Sequence, residues 1–94
     1  MDIKALMKQA QKMQEKIQQE IAELKVEASA GGGMVTVAMG GKHELLSVRI
    51  APEAVTSQDV EMLEDLVRAA VNEANRKIED AMTEKVGAFR VPGL

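Results

Sequence analysis

The sequence predicts an α+β domain of order α-β-β-β-α, a three-stranded antiparallel meander flanked by two long helices. Apolar residues recur at three- and four-residue steps toward both ends of the chain. Between them they alternate with polar residues, and glycine clusters divide the alternating part into strands.

Residues 2–24 read as the first helix. At about 100° per residue, Ile3, Leu6, Met7, Ala10, Met13, Ile17, Ile21 and Leu24 fall within an arc of roughly 120°. Asp2 stands where a carboxylate suits the helix dipole. Ile3, Leu6, Ala10, Met13 and Ile17 keep the spacing of a coiled-coil seam, and Ile21 and Leu24 slip out of it. Such a stripe is short for a supercoil but adequate for packing on a sister helix.

From Leu24 the period changes. "LKVEASA" alternates Leu24, Val26 and Ala28 with Lys25, Glu27 and Ser29, as a half-buried strand does. Gly31 to Gly33 form a turn, and "MVTVAM", 34–39, is the second strand. Gly40-Gly41 is expected to make a two-residue hairpin turn with positive φ. "HELLSVRI", 43–50, follows with Leu46, Val48 and Ile50 on one face. Pro52 ends that strand, and "APEAVTSQD" reads as a connector.

Thr56 with Asp59 matches a helix start signal, with Ser57 as the competing cap. The second helix is expected from about Gln58 to Val86. Val60, Leu63, Leu66, Val67, Ala70, Val71, Ala74, Ile78, Ala81 and Met82 make its apolar face. Acids crowd its first turns while Arg76, Lys77 and Lys85 lie toward its end, which complements the macrodipole. Gly87 suits a C-cap, and "AFRVPGL" is a tail.

Residues 1–94 make a single domain, and a chain this short buries a thin core by itself. Phe89 is the only aromatic residue, so seven Met with Ile, Leu, Val and Ala must fill the interior. Helices of about 34 and 43 Å outrun a meander of six- to eight-residue strands. Their ends are expected to project or to pair across a homodimer.

Several chemistries are excluded. There is no cysteine, hence no disulfide, thiolate metal site or thiol catalysis. His43 is the sole histidine, and "HELLS" lacks the second histidine of a zinc-protease motif. The glycines at 31–33 run into a strand rather than into Lys-Ser/Thr and a helix, so they are not a phosphate-binding loop. Glu61, Glu64 and Asp65 are more simply dipole partners than an acid–base pair. No enzyme, cofactor, metal or small-molecule substrate is expected, and no membrane span or secretory signal.

One pattern remains. Lys4, Lys8, Lys12 and Lys16 share an arc whose centre lies about 180° from that of the apolar stripe. Their steps of about 6 Å give a straight cationic track of about 18 Å. The chain is otherwise acidic, with net charge −3, and 53–65 hold Glu53, Asp59, Glu61, Glu64 and Asp65 with no basic residue. Lysine is also what the solvent face of any amphipathic helix carries, and the pattern alone leaves both readings open. Duplex backbone is the natural polyanion, because aromatic residues for stacking on single strands are missing. A membrane surface ranks third, since the apolar stripe is needed for folding.

Four stretches are similar to a known family. "LMKQAQKMQEKIQQEIAEL", "GGGMVTVAMGGKHELLSVRIAPE", "EMLEDLVRAAVNEANRKIE" and the ending "VPGL" resemble, in order, the segments of the YbaB/EbfC family of bacterial nucleoid-associated proteins. The resemblance implies a tweezer-like homodimer with projecting helical arms, located on the nucleoid in the cytoplasm. It implies binding of double-stranded DNA without catalysis, organising the chromosome and modulating gene expression. The arms carry DNA contact in that family, which points to Lys4, Lys8, Lys12 and Lys16 here, and secondarily to Arg76, Lys77 and Lys85. The glycine-rich N-terminal extension of many relatives is absent, and the tail is short. The alternative is a protein-interaction module that grips DNA-repair or replication factors through the acidic start of the second helix.

Overall fold

A computed structural model describes residues 2–56 and 58–87, apart from the side chain of Val86. The elements are α1 (Ile3–Glu23), β1 (Lys25–Ala30), β2 (Val35–Gly40), β3 (Leu45–Ile50), α2 (Pro52–Thr56) and α3 (Val60–Gly87). The three strands form one antiparallel sheet in the order β1-β2-β3. This is the expected α+β meander, with one short helix added.

The core lies between one face of β1 and β2 and the apolar stripe of α3. Ala28, Val35, Val37 and Met39 meet Ala70, Ala74 and Ile78, with Leu24, Val26, Leu63, Leu66, Val67 and Met82 around them. Alanines at 70 and 74 let the helix backbone approach the sheet, and Ile78 fills the space beyond them. Near Leu66, α3 passes Gly31; near Lys77 it passes Glu27; and near Lys85 it passes Glu20. It therefore runs antiparallel to β1, crosses the sheet and continues beside the root of α1.

Several local expectations are corrected. The segment after Pro52 is not irregular: it forms α2, where proline is tolerated because a first-turn N–H needs no helical partner. Asp59, not Thr56, caps α3, since its carboxylate accepts the Met62 N–H at 2.9 Å. Thr56 instead donates its hydroxyl to the Glu53 carbonyl at 3.1 Å. Ser57 and the tail "AFRVPGL" lie outside the described residues, and Gly87 is the last residue of α3.

The β2–β3 connection also differs. It spans residues 41–44, and its positive φ belongs to His43 at 60° rather than to either glycine, while Gly31, Gly32 and Gly33 all lie on the positive side. A register shift between Ala38 and Met39 places Leu45, rather than Leu46, opposite Met39. All six residues of β3 are exposed, because α3 covers only β1 and β2. Methionine fills less of the interior than expected: Met39 is buried, whereas Met7 and Met13 stand on the open stripe of α1.

Candidate nucleic-acid interface

The molecule measures 68 × 23 × 15 Å, and α1 accounts for much of that length. Its 21 residues rise about 32 Å, and none of them is buried. Only Ile17, Glu20 and Ile21, near its C-terminal end, are half-buried. Asp2 caps the far end by accepting the Lys4 N–H at 3.1 Å. The result is a projecting arm with two distinct exposed faces.

One face is cationic. Lys4, Lys8, Lys12 and Lys16 are all exposed on α1, at the i, i+4 positions that stack along a helix. Among the described residues, the side chains of Lys4, Lys8 and Lys12 join no ion pair. Their charge is left for an external anion. The opposite face is apolar and equally open, with Ile3 at 68% and Met7 at 64% exposure.

The α3 cations are placed differently. Arg76 pairs with Glu73 at 2.9 Å, and Lys85 lies 3.8 Å from Glu20 on α1. Lys77 Nζ donates to the Glu27 carbonyl at 2.8 Å, on the outer edge of β1. Arg76 and Lys77 line an open groove of about 710 Å³ beside β1, together with Ser29 and Asn72. Arg68, which sequence reasoning passed over, joins them there but is tied to Asp65 at 2.7 Å. A phosphate arriving at this groove would compete with contacts the protein already makes.

The acidic start of α3 lies toward the Gly31–Gly33 turn, where Leu66 meets Gly31, and Asp65 also lines the groove beside β1. Asp59 serves as a helix cap and Asp65 as a partner of Arg68, so two of these acids have local structural roles. His43 belongs to the β2–β3 turn and bonds Asn75 of α3. No group of three potential ligands fit to hold a metal ion occurs among the described residues. No described helix is long and apolar enough to cross a membrane.

The sequence profile of the YbaB/EbfC DNA-binding family matches residues 1–94. A nucleoid-associated protein of Alkaliphilus metalliredigens is 50% identical over 95% of this chain and 84% of its own length. One from Acetivibrio thermocellus is 48% identical over 99% of this chain and 89% of its own. Among solved structures, the uncharacterized protein HP0035 from Helicobacter pylori superposes with a TM-score of 0.79 at 21% identity. That match covers 95% of this chain and 97% of the other, and supports the fold. The family is a DNA-binding one, not an enzyme family. Matched from its first residue to its last, and about half identical to these relatives, the chain belongs to the YbaB/EbfC DNA-binding family.

Proposed function

We propose that the protein binds double-stranded DNA as a homodimer through the lysine face of α1, as a nucleoid-associated protein that compacts the chromosome and influences transcription. The observation that carries this reading is the row of exposed α1 lysines, three of them without an ion pair among the described residues. Contact with phosphate oxygens positions a protein on duplex without specifying sequence, and evenly spaced lysines suit that role. The family and the names of the relatives support DNA as the partner and the nucleoid, within the cytoplasm, as the place.

A second copy is supported by what one chain leaves uncovered. Leu45, Leu46, Val48 and Ile50 of β3 and Ile3, Leu6, Met7 and Met13 of α1 are large apolar residues at 38–68% exposure. β3 is also an edge strand with unpaired backbone groups. The other sheet edge is guarded, since Lys77 occupies the Glu27 carbonyl of β1. Pairing is therefore favoured at β3.

Two arms carrying four lysines each would displace about eight counterions, giving a slope near −7 in log K against log salt as an upper value. Lys8→Glu combined with Lys12→Glu should lower duplex affinity by about 100-fold or more at moderate salt. Circular dichroism and the sedimentation coefficient should stay unchanged. Undiminished binding in a mobility-shift assay would move the DNA contact away from α1. Arg76, Lys77 and Lys85 belong to the same proposal as secondary contacts, with the groove beside β1 as the place to look next.

A further inference from the structure

The lysine row works as a track only if the arm points in a fixed direction, and the arm meets the rest of the molecule at its root, against the β2–β3 turn and the end of α3. We propose that the β2–β3 turn, residues 41–44, is the joint that aims α1, with Gly41 and the His43–Asn75 pair as positioning residues for DNA binding. The inference rests on α1 being the element that meets DNA.

The root of the arm sits on this turn. Leu24 ends α1 in an extended conformation, and its N–H returns to the Ile21 carbonyl at 3.1 Å. The Gly41 N–H then donates to the Leu24 carbonyl at 3.1 Å, which fastens the end of the helix to the turn. Gly41 is buried, and a Cβ there would overlap the Ile21 carbonyl oxygen. That Cβ would also stand 2.8 Å from the Ile21 carbonyl carbon. The obstacle is helix backbone, so no side-chain rotation relieves it. Glycine at 41 thus serves the close approach of α1 rather than turn φ.

The opposite side of the turn is held by α3. His43 adopts φ 60°, unusual for a residue with a Cβ, and its N–H donates to the Gly40 carbonyl at 3.0 Å. In that conformation its Nδ1–H tautomer donates to Asn75 Oδ1 at 2.8 Å. The Gly40 N–H donates to the Glu44 carbonyl at 2.8 Å and closes the loop. A short loop is therefore pinned between the end of α1 and the middle of α3. The remaining direct tether between the helices' charged side chains, Lys85 to Glu20, is long at 3.8 Å and half open to solvent.

Leverage makes this joint matter. From Ile3 to Lys16 the arm rises about 21 Å without a buried residue, so a 20° change at its root moves the tip by about 7 Å. That exceeds the step of about 6 Å between successive lysines. In a two-armed protein a misdirected arm cannot engage the same duplex as its twin, and avidity is lost.

The chain has no cysteine, so two can be introduced for spin labels without background. Nitroxides at Q11C on the arm and E64C at the start of α3 report arm direction, in dimers diluted with unlabelled chain. Gly41→Ala should shift the distance distribution by about 5 Å or more, through the lever above. It should weaken duplex binding by about tenfold or more while helix content holds. Asn75→Ala frees His43 without a clash and should broaden the distribution, with a smaller loss of affinity; it decides the matter if Gly41→Ala does not fold. Folded variants with an unmoved arm, or with a moved arm and unchanged affinity, would overturn the joint. If Lys8→Glu with Lys12→Glu binds DNA normally, the arm reading fails instead, and the distance result still stands by itself.

Discussion

The two long helices carry the same kind of apolar stripe, yet α3 places Ala70, Ala74 and Ile78 at zero exposure while α1 buries no residue. The difference lies in what each can reach. α3 runs back across the meander and meets a sheet face of Ala28, Val35, Val37 and Met39. α1 precedes the sheet, is joined to it at one end, and extends beyond its edge. Helix patterning thus states that a face must be covered without stating by what. In α3 the cover is the protein's own sheet, whereas the stripe of α1 stays exposed in the single chain.

The sharpest test of this contrast is truncation at matched apolar positions. Ile78→Ala should lower unfolding free energy by about 2–5 kcal/mol in urea titration, because it opens a cavity in a thin core. Leu6→Ala should change the stability of the monomer by less than about 0.5 kcal/mol and act only at concentrations where dimer forms. A large effect of Leu6→Ala in dilute monomer would break the comparison.

The helix caps give a smaller version. Asp59→Ala removes the acceptor of the Met62 N–H and should cost about 1 kcal/mol, since α3 melts with the whole domain. Asp2→Ala removes the equivalent bond to Lys4, but only frays the tip of the arm. Amide hydrogen exchange should show faster exchange confined to the first turn of α1, with thermal unfolding of the domain unmoved.

The smallest effect compares single cations. Lys8→Gln should reduce the salt slope of duplex binding by about two per dimer. Arg76→Gln should change it by less, because Glu73 already neutralises that charge in the free protein. Equal slopes for the two variants would place the α3 groove on the same footing as the arm.

Much of this architecture is legible in the sequence because backbone periodicity is a local property. The steps from Ile3 to Ile21 and from Leu63 to Met82 mark the helices, and the alternation in "LKVEASA" and "MVTVAM" marks strands. The lysine row is legible for the same reason, as a single face of a single helix. Where contacts are distant in sequence, the reading fails or stays silent. Gly41 looks like a hairpin glycine, but its reason is Ile21, twenty residues earlier. Arg76 and Lys77 look like available cations until Glu73 and the Glu27 carbonyl are seen beside them. The short helix at Pro52 was hidden by a residue that ends strands as readily as it starts helices.

By itself, then, the sequence determined the element order, the two amphipathic stripes and the segregation of lysine from acid along the chain, all set by residue spacing and composition. Only the tertiary structure decided which stripe becomes core, which cations are already engaged, and where the arm is fastened. Those outcomes depend on which backbone segments approach one another, and a pattern confined to one segment carries no information about its neighbours in space.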